Sequence, residues 1–249
     1  PEIVPGSHEL VCIIVEPSVK VHIEDRTSLE KSFAARSIIG ILAAQSEVST
    51  MHDTDLPQSQ LVQHERWFIA DGAHFYQDHV LTGGIQSWLA KGFTLDSHAS
   101  VHATFLAALH DTEQSVLTTV QEHTAPGASS SVLVKAALTD ASRSFYRGTI
   151  VVTEDAPQSI AHQQQRALML SSRAQTCAIP SLEVATHEVS CSHGSAAGKV
   201  NEDEMWYLLS RGFSEKEAEA VLIEGFFHEP ILLQRKDILI RMKDCLITR

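Results

Sequence analysis

The stretch Ser190-Cys191-Ser192-His193-Gly194, leading through Gly198 to Asn201-Glu202-Asp203-Glu204, is where the hydrophobic period of this chain changes. Upstream, from residue 8 to about residue 190, short runs of β-branched and apolar residues are broken repeatedly by turn chemistry. The runs include Leu10 to Val15, the alternating Val19, Val21 and Ile23, then Ser131 to Leu138, Phe145 to Thr153 and Leu182 to Val184. Breaks fall at Pro5-Gly6, Pro17, Asp71-Gly72, Gly83-Gly84, Lys91-Gly92, Pro126-Gly127 and Asp155 to Pro157. Many short strands without intervening helices fit a sandwich, a barrel or a β-helix, and spacing alone leaves all three open. No fixed-length repeat stands out. Ser32 to Ala44 holds enough alanine to compete as a helix, and it reads as a pair of strands.

Downstream of Gly198 the pattern is helical. Asn201 offers a capping acceptor ahead of an acidic first turn, which predicts a helix running to about Ser210 and stopping at Gly212. Ser214 to Glu217 is a Ser-x-x-Glu capping box. The apolar positions Ala218, Val221, Leu222, Gly225 and Phe226 then follow at helical spacing. Pro230 suits the first turn of a third helix with a stripe of Ile231, Leu232, Leu239, Met242 and Leu246. The sequence thus divides into a β body, residues 1–198, and a helical C-terminal domain, residues 199–249. Packing on the chain's own β body accounts for most stripes of this kind. Trp206, Tyr207, Phe226 and Phe227, concentrated in a chain only 6% aromatic, also suit an association surface.

Composition excludes several partners. With 249 residues and 43% hydrophobic content the chain can bury a sizeable core. A net charge of −12 argues against nucleic acid or an anionic membrane as the main partner. No apolar run approaches the ~20 residues of a membrane span, and no signal peptide is visible, so the chain reads as soluble. Walker, dinucleotide-glycine, His-Glu-x-x-His and Gly-x-Ser-x-Gly motifs are all missing from the sequence.

Cys12, Cys177, Cys191 and Cys245 lie far apart, which is cytosolic usage rather than a disulfide framework. Cys12, in an apolar run, and Cys245, in a helical pattern, read as buried small hydrophobes. Of the 14 histidines, most read as solvated or locally hydrogen-bonded. Cys191 and His193 differ. In an extended segment residues i and i+2 leave the backbone on one face, so the thiol and imidazole point together and Ser192 turns away. Such a pair suits zinc, iron or an iron-sulfur cluster, yet those want about four donors, and the rest must come from elsewhere, such as another chain. A corner near Thr186 to Glu188 would break the register of His187, leaving it a weak third donor. On spacing alone, a buried thiol beside a hydrogen-bonded histidine is favoured over the metal site.

Taken together, Ile179-Pro180-Ser181-Leu182-Glu183-Val184, Cys191-Ser192-His193-Gly194, Gly198, Glu202 to Glu204, Leu208, Ser210-Arg211-Gly212, Glu217-Ala218 and Ile223-Glu224-Gly225-Phe226-Phe227 resemble the C-terminal signature of the SufB/SufD iron-sulfur cluster assembly scaffolds. Phe145-Tyr146-Arg147-Gly148-Thr149-Ile150-Val151-Val152, Gln163 to Arg166 and Leu168 to Leu170 resemble what precedes it. The likeness covers roughly residues 115 to 230, the first hundred matching only in texture, and Cys-Ser-His-Gly points to the SufD side.

This resemblance implies a mainly β fold, a right-handed parallel β-helix followed by a small α-helical domain. It also implies a non-catalytic, cytoplasmic scaffold subunit that pairs with a SufB-type subunit and docks a SufC-type ATPase, with a homodimer when isolated. A transient iron-sulfur cluster or iron would be shared with the partner subunit at His193, with Cys191 nearby. Trp206, Tyr207, Arg211, Gly212, Leu222, Glu224, Gly225, Phe226 and Phe227 would meet the ATPase. Members usually carry a helical region before the β-helix, whereas this chain starts at Pro1 in β texture, as a trimmed or compact relative would. His187-Glu188 stands where an acidic pair is usual, and Ser190 where a basic residue is. The competing readings are a β-helical enzyme acting on polysaccharide, although the acids here are scattered, and a degenerate interaction module without cluster chemistry.

Overall fold

The computed structural model describes residues 8–228 and 235–247. Strands β1 (His8–Val15), β3 (Phe33–Leu42), β5 (Gln60–Ile69), β7 (Gln86–Leu95), β9 (Gln114–His123), β11 (Arg143–Val152) and β13 (Gln175–Val184) pair in that order as sheet A. Strands β2 (Lys20–Ser28), β4 (Glu47–Leu56), β6 (His74–Gly83), β8 (Ser100–Leu109), β10 (Ser129–Leu138), β12 (Ile160–Met169) and β14 (Ser190–Lys199) pair likewise as sheet B. Every pairing is parallel and joins a strand to the one two further on, so the chain winds alternately through the two sheets as a β-helix. Among the three architectures that strand spacing left open, only this one has such a ladder.

The alternation of each strand separates lumen from surface. In β5, Leu61, Gln63, Glu65, Trp67 and Ile69 are buried, while Gln60, His64 and Phe68 are exposed. Valines, leucines, phenylalanines and Trp67 stack coil upon coil into the main core. Corners are closed by residues in the left-handed region, among them Ser18, Gln45, Gly72, His98, Gly127 and Gln158, whose backbone N–H groups donate to the coil above. Register offsets run from 26 residues, Val62 to Trp88, to 32, Phe145 to Cys177, which is why no fixed repeat is visible in the sequence.

Two sequence expectations are corrected here. Ser32 to Ala44 holds one strand, β3, rather than a pair, because its alternation runs unbroken across a single sheet position. Cys12 is exposed rather than buried, since Glu9, Val11, Ile13 and Val15 take the inward parity of β1. Cys245 is half-buried against the helical cluster.

The helices follow the sequence signals closely at their starts. In α1 (Glu202–Ser210) the Asn201 side chain accepts from the Asp203 N–H, and Gly212 beyond the helix takes φ +93°. In α2 (Glu215–Phe226) the Ser214–Glu217 capping box is complete. Pro230, Ile231 and Leu232 lie outside the described residues. Helix α3 (Lys236–Ile247) buries Leu239, Met242 and Leu246, together with Ile238. These side chains, with Ile223 and Phe227, pack on Met51, Val80, Leu106, Ala108 and Ala137, the outer face of sheet B. Arg241 of α3 pairs with Asp53 of β4, and Lys135 of β10 donates to the Phe226 carbonyl (2.9 Å). No described helix is long and apolar enough to cross a membrane.

Candidate functional site

Strand β14 is the last strand of sheet B and pairs with β12 in register: Cys191 lies beside Ala161, Ser192 beside His162 and His193 beside Gln163. Ala161 and Gln163 are lumenal and buried, which places Cys191 and His193 on the inner face of the final coil. Ser192 points outward, its hydroxyl hydrogen-bonded to His162 Nδ1 (2.7 Å). The bend at His187 and Glu188 stands outside β14, so His187 does not share its face.

The two donors sit in different surroundings. Cys191 is half-buried against Ile150, Val152, Ala156 and Ala161, with Val189 beside it. That burial pushes its thiol up from the ordinary value, against a backbone hydrogen bond at Ala161 that acts the other way. A protonated thiol is a weak ligand. His193 is exposed, because no further described strand stacks on β14 to close over it. Chemically, then, the imidazole is the ready donor and the thiol must first be deprotonated. Among the described residues no group of three or more His, Cys, Asp or Glu side chains could hold a metal ion.

The helical residues divide into two faces. Trp206 (74% exposed) and Tyr207 stand outward from α1, which has no buried residue and packs on α2. Arg211 lies over the Tyr207 ring, 5.0 Å from its centroid, and Gly212 follows at the turn. Tyr207, Leu208, Val221 and Leu222 form an apolar groove with Asp203 and Glu204 at its rim. On the other side, Phe227 is 0% exposed and Phe226 is half-buried, edge-on to it at 5.1 Å, with Lys135 over the Phe226 ring. Glu224 is held by Lys243 (2.7 Å), and Gly225 is exposed. The predicted α2 stripe is therefore corrected. Ile223 and Phe227 carry the burial with Ala218, whereas Val221 and Gly225 face out.

Sequence reasoning missed a polar cluster in the lumen. Glu65 is fully buried and pairs with the buried Lys91, while Trp67 Nε1 (3.1 Å) and Gln77 Nε2 (2.7 Å) donate to its other oxygen. Burial opposes its ionisation, but Lys91 and these donors hold the carboxyl well below the usual range. Next to it, Asp25 accepts from Arg36 and bonds His52 (3.0 Å), and Arg36 also pairs with Glu9 (3.0 Å). The available signal was a charged residue at inward parity, Glu65 between Gln63 and Trp67, readable only once the winding of the chain is known.

A family profile described as "SUF system FeS cluster assembly, SufBD core domain" matches residues 3–226. An iron-sulfur cluster assembly SufBD family protein of Methanothermobacter thermautotrophicus (strain Winter) is 29% identical over 160 residues, 64% of this chain and 38% of the relative. A SufBD family protein of Pyrococcus horikoshii is 39% identical over 104 residues, covering 42% of this chain and 22% of the relative. SufD of Escherichia coli is 29% identical over 108 residues, 43% of this chain and 26% of that protein. The chain thus spans between about a fifth and two fifths of the length of these relatives.

Proposed function

Because this chain belongs to the SufB/SufD family of iron-sulfur cluster assembly proteins, we propose that it is a non-catalytic, cytoplasmic scaffold subunit that offers half of a cluster site to a SufB-type partner. One observation carries this reading: His193 is exposed on the inner face of the terminal coil, where another chain can complete its coordination. Among the described residues no strand pairs with the outer edge of β14, which suits strand addition by the partner's own β-helix. The cluster is cargo of this site. His193 supplies a nitrogen ligand, and Cys191 packs the floor beneath it and donates sulfur only if the partner deprotonates it.

Docking of a SufC-type ATPase belongs to the outward face of α1 and α2, where Trp206, Tyr207, Leu222 and Val221 are accessible in whole or part. Phe227 and most of Phe226 support that face from within. Since α2 is joined to sheet B through Phe227 and Lys135, movement of the ATPase would act on the β-helix pair and open the shared site.

Anaerobic reconstitution with iron and sulfide, in the presence of the SufB-type subunit, tests the site. His193→Ala is expected to lose the cluster absorbance and Cys191→Ala to retain most of it. An unchanged His193→Ala spectrum would reduce the chain to an interaction module.

A further inference from the structure

Among the described residues β14 pairs with β12 alone, so the ties that hold it straight come from one side. Beyond His193 they are sparse. Gly194 and Gly198 have nothing within 4 Å of where a Cβ would stand, every residue from Ser195 to Lys199 is exposed, and one side-chain bond, Ser195 Oγ donating to Gln165 Oε1 (2.9 Å), joins this part to β12. Before His193 both neighbours are fixed. Cys191 packs inward on Ile150, Val152 and Ala161, while Ser192, on the opposite face, is hydrogen-bonded to His162 Nδ1 (2.7 Å). Holding two successive residues on opposite faces fixes the rotation of the strand about its own axis, and with it the direction in which the next side chain leaves the backbone. That next side chain is the imidazole of His193.

The tether closes a longer row. One outward row of sheet B runs in register from β2 to β14. Along it His22 bonds Ser49 (2.8 Å), Tyr76 stacks on His102 with 5.5 Å between centroids, and His162 bonds Ser192. The same histidine-serine pair therefore stands at both ends of one row, and only the second adjoins the site.

We propose that His162 is a positioning residue: through Ser192 it holds β14 so that His193 presents its imidazole to the cluster. This rests on the reading of His193 as a cluster ligand. Two measurements separate the tether from its consequence. Hydrogen exchange at the amides of residues 192–194, in the full chain alone, reads the tether. The rate at which a chelator strips iron from the cluster reconstituted with the SufB-type subunit reads the consequence. Ser192→Ala and His162→Phe each remove the bond and are expected to speed both by about fivefold, the worth of one hydrogen bond. Ser192→Thr keeps the hydroxyl and should restore wild-type values. Ser49→Ala removes the equivalent bond at the far end of the row and should change neither rate, with a melting temperature matching that of Ser192→Ala. Unaltered exchange in Ser192→Ala overturns the proposal, as does faster exchange without faster iron loss, or iron loss that Ser49→Ala speeds equally. A cluster that survives His193→Ala defeats the underlying reading and the proposal with it. A cluster lost in His193→Ala but held as firmly in Ser192→Ala as in the wild type defeats the role of the tether alone.

Discussion

Gly40 lies beside Trp67 on the next coil, both at inward positions, and a Cβ at Gly40 would come within 1.9 Å of the indole. The glycine is there for the close approach, and the fully buried indole fills the space it leaves. Gly40→Ala is expected to cost about 1–3 kcal/mol through overpacking, read as a lowered urea midpoint followed by tryptophan fluorescence. An unshifted midpoint would mean that the ring relocates freely. Beside that ring the same lumen holds charge, the Trp67 Nε1 donating to Glu65 at 3.1 Å. Replacing Lys91 by Met leaves the buried Glu65 carboxylate without its countercharge, a loss on the order of 3–5 kcal/mol. Adding Glu65→Gln should recover much of that, since the unpaired charge and not the missing ammonium is what destabilises. A double variant no more stable than Lys91→Met alone would contradict this. Neither residue announces itself in the sequence, because Glu65 and Lys91 are ordinary surface types until strand parity turns them inward.

At the scale of elements, α2 carries apolar side chains on two sides, Ile223 with Phe227 at its C-cap toward sheet B and α3, and Val221 with Leu222 toward α1. A sequence stripe selects one face from such a helix, whereas the protein uses two, one on sheet B and α3 and the other toward α1. That is why the helix ends were legible and its buried side was not: caps are local chemistry, while the buried face depends on what the helix meets. The division has opposite consequences for two substitutions. Phe227→Ala empties a buried position and is expected to lower stability by about 3–5 kcal/mol. Val221→Glu changes an exposed one and should stay within about 0.5 kcal/mol of the wild type, while abolishing the co-purification that the proposed docking of a SufC-type ATPase requires. Equal destabilisation by the two would show that the outward face is structural.

The winding of the whole molecule was only partly legible. Alternating strands and turn residues gave the β body, and the change of period after Gly198 gave the helices, but the β-helix itself came from the likeness of residues 115 to 230 to a known family. Coils of unequal length hide the repeat, and parallel pairing between distant strands leaves no mark in local sequence. The same winding buries titratable groups that local reading places at the surface, and this makes the fold acid-labile as a unit. Burial holds His123 down at about 4 and His79 well below its ordinary value, while Asp25 and Glu65 are held below the carboxylate range despite their burial. For each, the unfolded chain binds the proton more readily, so stability is full above the unfolded pKa and is lost as pH falls. Histidines dominate between pH 7 and 4.5, because their unfolded value is about 6.5. From its folded value alone His123 should account for about 2 kcal/mol of the loss in that window. Urea titrations at the two pH values are expected to show the drop, and His123→Gln, which can still reach Ser130, should reduce it by that amount. If the variant and the wild type lose equal stability on acidification, His123 is not titrating in the lumen.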